Sequence, residues 1–155
     1  VTIGQEIEYV RSYLTIQKMR YKDKLEFEIN VDPRITHAQI IRLVLQPIVE
    51  NAIYHGLKYK ESKGMLKVHG YELGERIIID ITDDGVGMDE ETLKHIYDKH
   101  KVNYHSNGVG VYNVQQRLVL YYGKEYGIIY HSEKGKGTTA TVVIPKKQED
   151  VHEKI

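Results

Sequence analysis

The chain has 155 residues, enough for one domain with its own core and too few for two of ordinary size. Lys plus Arg and Asp plus Glu number 22 each, so the formal net charge is zero with His neutral, which excludes a binder of nucleic acid or anionic membrane that works through excess cationic charge. Cys is absent, which excludes disulfides, thiolate metal sites and a Cys nucleophile, and no apolar run approaches the roughly 18 residues of a membrane span.

The first predicted element is a helix over Ile3 to Tyr21, with Ile3, Ile7, Val10 and Leu14 in steps of four and three. Two readings stay open for it: an amphipathic helix packed on its own domain, or a connector entered mid-helix from a bundle upstream of Val1. Leu25 to Val31 alternates apolar and polar residues, as a half-buried strand does, and Asp32-Pro33 ends it. A helix is expected from a cap near Thr36 or His37 through Ile40 to Leu57, with Pro47 kinking it or starting a new one. Two strands follow, Met65 to Glu72 and Arg76 to Asp83, joined by Leu73-Gly74-Glu75. Asp89 to His100 reads as a helix with an acidic first turn, and Lys101 to Asn107 as a loop. Val109 to Tyr122 is helical up to Gly123, and strands at Gly127 to Ser132 and Thr138 to Ile144 flank a Gly135-Lys136-Gly137 turn. Runs of adjacent strands mixed with helices predict an α+β fold, a two-layer sandwich with helices on one face of a mixed sheet.

Four clusters carry candidate chemistry. In Asp83-Asp84-Gly85-Val86-Gly87-Met88 two glycines stand beside carboxylates where a strand leaves the sheet, which suits either an ordinary turn or a close backbone approach to a ligand. Gly108-Val109-Gly110-Val111 precedes a helix, where exposed N–H groups suit phosphate. Gly135-Lys136-Gly137-Thr138 would by itself be a hairpin turn. In Leu45-Gln46-Pro47-Ile48-Val49-Glu50-Asn51-Ala52-Ile53-Tyr54-His55-Gly56, Glu50 and Asn51 interrupt an apolar helix. They form a satisfied polar network or an exposed edge, or Asn51 offers its oxygen to Mg²⁺. His95, His100 and His105 have poor spacing for a metal site on one helical face.

Together and in this order, the clusters resemble the N, G1, G2 and G3 boxes of the GHKL (Bergerat-fold) ATPases, which include histidine kinases, DNA gyrase, MutL and a heat-shock chaperone. More narrowly, Gln46 to Ile53, Gly108-Val109-Gly110-Val111-Tyr112-Asn113-Val114-Gln115-Gln116-Arg117-Leu118 and the opening segment Glu6 to Arg20 resemble the LytS-like branch of sensor histidine kinases. The resemblance implies that Asp83 accepts a hydrogen bond from the adenine amino group and that Gly85 and Gly87 lie against the base, with Met88 beside them. It implies that Gly108, Val109, Gly110 and Val111 face the phosphates, that Thr138 lies near the base, and that Asn51 binds Mg²⁺. Glu50 is taken with Asn51 as the catalytic pair, and Lys99 to Asn107 falls where the family has its ATP lid. Tyr54 stands where many histidine kinases carry a phosphate-contacting Lys, so His55 or Lys58 is expected to supply that contact, with Lys101 and His105 of the lid as further candidates.

The expected function is therefore the catalytic ATP-binding part of a two-component sensor histidine kinase, with ATP and Mg²⁺ as cofactors. None of the 8 His has the sequence context of this branch's phosphoacceptor, so the acceptor is expected in an upstream region outside this chain. The expected division is a helical connector at 1–22, the catalytic domain at 23–146 and a polar tail at 147–155. Partners implied are that upstream region and a response regulator, with no nucleic acid and a homodimer only at full length. Localisation would be cytoplasmic, beneath a membrane-anchored parent. The alternatives are a gyrase- or MutL-type ATPase, disfavoured because Pro47 occupies the position of its general-base Glu, and a degenerate module used only for protein contacts. A serine kinase of the anti-sigma type shares the boxes but not the opening segment.

Overall fold

A two-residue alternation assigns each strand residue to one of two faces, and here it sorts core from surface. The computed structural model describes residues 1–57, 60–95 and 108–147. Strands β1 (Leu25–Val31), β2 (Gly64–Leu73), β3 (Arg76–Asp83), β4 (Gly127–Glu133) and β5 (Gly137–Pro145) form one sheet in the order β1-β2-β3-β5-β4. The β1–β2 pair is parallel and the other three pairs are antiparallel, so the sheet is mixed as expected.

On one face, Leu66 and Val68 of β2, Ile77, Ile79 and Ile81 of β3, and Ala140, Val142 and Ile144 of β5 are buried. They share a single core with helices α1 (Ile3–Tyr21), α2 (Leu45–Asn51) and α4 (Gly108–Tyr122), through Ile7, Val10 and Leu14, Leu45, Ile48 and Val49, and Val111, Val114 and Leu118. The opposite face carries polar pairs: Asp80 accepts from Tyr71 at 3.1 Å and from Thr141 at 2.6 Å, and Thr82 meets Thr139 at 3.1 Å. The architecture is the expected α+β two-layer sandwich.

Helix α1 packs its Ile3, Ile7, Val10 and Leu14 face into this core. It opens with a capping box at Thr2, whose hydroxyl accepts from Gln5 N–H at 3.1 Å while Thr2 N–H donates to Gln5 Oε1 at 2.9 Å. The next two N–H groups, of Ile3 and Gly4, donate to the carbonyls of Ala38 and Thr36, both at 2.9 Å. That contact corrects the helix expected from Thr36. Apart from a 3₁₀ turn at Pro33–Ile35, the backbone up to Val44 is irregular, because its polar groups serve α1 instead of a helix of their own. Pro47 lies in the first turn of α2, where a missing N–H costs nothing, so it starts the helix and does not kink it.

Helix α2 continues without a break into a π-helical turn at Ala52–Leu57. Helix α3 (Glu90–Lys94) is capped by Asp89, which accepts from Thr92 N–H at 2.8 Å. The rest of the helix expected to reach His100, the lid and all but the first residue of the tail lie outside the described residues.

Replacing Ile79, fully buried on central β3, by Ala should lower unfolding stability by about 2–5 kcal/mol. The same change at Ile129, 51% exposed on β4, should cost less than about 0.5 kcal/mol. Urea denaturation of the two variants checks the assignment of faces.

Candidate functional site: a cleft at the end of the central strands

The alternation that buries Ile77, Ile79 and Ile81 also carries Asp83 onto the helix side of β3, where it is 4% exposed. Burial pushes its carboxyl from the ordinary 3.8 up to about 6, and the neighbouring Asp84 charge acts in the same direction. A hydrogen bond from Gly85 N–H to Oδ1 at 2.9 Å opposes this without cancelling it. Asp83 pairs in register with Thr138, which has the same parity on β5 as Ala140 and Val142.

Facing this strand end is the α2 segment. Asn51 is 8% exposed, and no side chain among the described residues hydrogen-bonds its amide. Asn51, His55, Asp83, Gly87, Met88 and Thr138 line one cleft of ≈ 380 Å³, with Gly56, Ile48, Ala52, Ile81, Tyr130 and Ala140 completing its wall. Six of the residues singled out in the sequence are thus brought together.

The others are placed as follows. Gly85 touches the cleft through its N–H bond to Asp83. Gly108 and Val109 open α4, and a Cβ on Gly110 would lie 3.3 Å from Pro47 Cβ, so the first turn of α4 abuts the first turn of α2. Val111 is fully buried in the core, so only its backbone is available to a ligand. Glu50 accepts from Gln46 Nε2 at 3.0 Å and does not line the cleft. Its charge reaches α1 instead: burial, then the Glu50 charge, raises the Tyr13 phenol to about 12. Lys58 and the lid residues Lys101 and His105 lie outside the described residues.

Two residues were given no role in the sequence. Gly56 approaches so closely that a Cβ there would sit 2.6 Å from Asp83 Oδ1, and its carbonyl accepts from Val86 N–H at 3.1 Å. It ends the motif that contains Asn51, but only the fold brings it to Asp83. Ser132 takes the Met88 N–H at 2.8 Å, lies 3.0 Å from the Gly137 carbonyl and 2.7 Å from the Thr138 hydroxyl, and so ties the β4–β5 hairpin to the loop after Asp83. Its signal was a lone hydroxyl at core parity on β4.

The chemistry available is a buried acceptor carboxylate at one end of the cleft and an amide oxygen at the other. No group of three or more His, Asp or Glu among the described residues could hold a metal by itself. A cation here would take one oxygen from Asn51 and the rest from ligand and water, which fits Mg²⁺.

Residues 36–148 match the family of histidine kinase-, DNA gyrase B-, and HSP90-like ATPases. The chain belongs to that family. It is 33% identical over 151 residues to the sensor histidine kinase YesM of Bacillus subtilis (strain 168), covering 97% of this chain and 25% of YesM. It is 30% identical over 147 residues to the sensor protein LytS of Bacillus cereus, covering 95% of this chain and 25% of LytS. The chain thus spans about a quarter of the length of these relatives. Among solved structures, the catalytic domain of histidine kinase ThkA superposes with a TM-score of 0.70 at 15% identity, covering 94% of this chain and 93% of that one, a likeness of fold.

The folded ATPase-family domain holds the Asp83 proton up to about pH 6, whereas the unfolded chain releases it near 3.8. The stability this proton carries is full below the lower value and is lost as pH rises through the upper one. Asp83→Asn should therefore raise the stability of the ligand-free domain by about 2–3 kcal/mol at pH 7.5, a gain that shrinks as pH falls towards 4, read from denaturation midpoints. Gly56→Ala should destabilise the domain by about 1–3 kcal/mol through overpacking against Asp83, and Asp83→Ala in the same chain should recover part of that loss.

Proposed function

We propose that this domain is the ATP-binding part of a sensor histidine kinase, which holds Mg·ATP in the cleft and presents the γ-phosphate to a histidine outside residues 1–155. The observation that carries the reading is the pairing of buried Asp83 with buried Asn51 across one cleft. Asp83 can take a hydrogen bond from the adenine amino group, and Gly85 and Gly87 let the loop after it pack closely on Gly56 and Glu133. Asn51 would hold Mg²⁺, which when bound neutralises phosphate charge and orients the γ-phosphate for transfer. The first turn of α4 offers N–H groups to the phosphates.

Phosphoryl transfer to a neutral imidazole needs positioning and charge compensation more than it needs a base. Pro47 stands where a gyrase-type general base would be, and Glu50 is turned to Gln46, so Glu50 is not assigned a catalytic part. In the whole protein the acceptor region, a response regulator, a second copy and a membrane anchor complete the pathway we propose. Within the described residues, no helix is long and apolar enough to cross a membrane.

Calorimetric titration with a non-hydrolysable ATP analogue tests this reading. Wild type should bind saturably with Mg²⁺. Asp83→Asn should weaken binding by about 1–3 kcal/mol, and Asn51→Ala should abolish the Mg²⁺ dependence. Wild-type affinity should fall as pH drops through about 6, where the Asp83 carboxylate takes up its proton, and Asp83→Asn should flatten that profile. Absence of binding at millimolar nucleotide would overturn the proposal. Addition of the upstream region should then yield acid-labile phosphohistidine.

A further inference from the structure

The segment leading into α2 is gripped from both sides by residues that the nucleotide would not touch. Glu6 lies in the first turns of α1 and is 1% exposed. One of its carboxylate oxygens accepts from Leu43 N–H at 2.7 Å, and the other accepts from Val44 and Leu45 N–H, both at 3.2 Å. From the other side, Arg117 of α4 donates to the carbonyls of Arg42 and Leu43, each at 2.6 Å. The Tyr122 hydroxyl, also on α4, accepts from Ile41 N–H at 3.2 Å.

The peptide run 41–45 therefore has its N–H groups claimed mainly by α1 and its carbonyls by α4. Leu43 takes a left-handed φ of +59°, a strained conformation for a non-glycine residue that persists only when its surroundings over-determine it. The run opens directly into α2, which ends at Asn51, and Pro47 in its first turn touches Gly110 of α4. Asp83, by contrast, is fixed by the sheet. The adenine end meets the same helical segment at Gly56, five residues beyond Asn51 and so further from the grip.

We propose that Glu6 and Arg117 are positioning residues for the metal and phosphate end of the site, fixing the start of α2, and through it Asn51, against the first turn of α4. This rests on the ATP reading above and goes beyond it, because neither residue lines the cleft. It also makes α1 part of the site's scaffold, so that a displacement of α1 is felt first at Asn51.

Four variants test the proposal: Glu6→Gln, Arg117→Met at an exposed position, Arg117→Lys, and Val10→Ala as a control buried in α1 but outside the grip. Each is titrated with the non-hydrolysable ATP analogue plus Mg²⁺ and with adenosine without metal, beside its denaturation midpoint. Glu6→Gln and Arg117→Met should each weaken the Mg²⁺-dependent affinity about tenfold or more and leave adenosine affinity unchanged. Their double variant should lose less than the product of the two. Arg117→Lys, which keeps one donor, should recover part of the loss, and Val10→Ala should lose stability with both affinities intact.

Equal weakening of both ligands, or loss of stability alone, would overturn the positioning role while leaving the ATP reading in place. Failure of wild type to bind either ligand would overturn the ATP reading and this inference together. If Glu6→Gln does not fold, the Arg117 variants decide the question.

Discussion

A carboxylate on the core side of a central strand is among the most expensive placements a small domain can make, and the cleft is arranged around one. Asp83 follows three buried isoleucines in strict alternation, so the sheet can present it nowhere but towards the helices. The Lys60 charge relieves only a small part of the cost. One short contact from Gly85 N–H is its hydrogen bond from the following loop, and burial leaves its ionised form disfavoured. Acceptor capacity remains on the side that faces the cleft.

The segments that close around this carboxylate meet through main chain more than through side chains. A Cβ on Gly85 would fall 2.2 Å from the Gly56 carbonyl oxygen, and one on Gly137, where φ is +110°, would fall 2.1 Å from the Asp83 carbonyl oxygen. The separate glycine clusters of the sequence are thus parts of one interlocked backbone contact. A site held this way constrains few side chains. That is consistent with a fold shared with the ThkA catalytic domain at 15% identity.

What could be read from the sequence was what repeats locally or sits in a dense motif. Alternation gave the core face of β1, Leu25, Phe27, Ile29 and Val31, and an amphipathic spacing gave Ile3, Ile7, Val10 and Leu14 of α1. Asn51, Asp83 and Thr138 fell in motifs, and all three line the cleft. The failures share a different cause, because they depend on contacts between distant segments. Thr36 to Val44 has helix-compatible residues, but the Thr36 and Ala38 carbonyls are used by the first turn of α1 and those of Arg42 and Leu43 by Arg117. Val111 sits within a glycine motif, yet helical spacing with Val114 and Leu118 turns it into the core. Ser132 and Glu6 carry no local pattern; each matters only through N–H groups brought to it from 44 and 37–39 residues away.

The strand order also bears on how the domain is assembled. The β2–β3 and β4–β5 hairpins close over short turns, so each can form early and on its own. The β3–β5 seam joins them, and its side-chain contacts link residues 57 and 61 positions apart, Thr82 with Thr139 and Asp80 with Thr141. Long-range pairing of this kind bears the entropy of loop closure before any contact rewards it. Asp83 and Thr138 lie at the open end of that seam, where the chain leaves both strands. The cleft therefore comes into being at the docking of the two hairpins, and a chain still waiting for that step, as during synthesis on the ribosome, has both halves of the binding surface and no site.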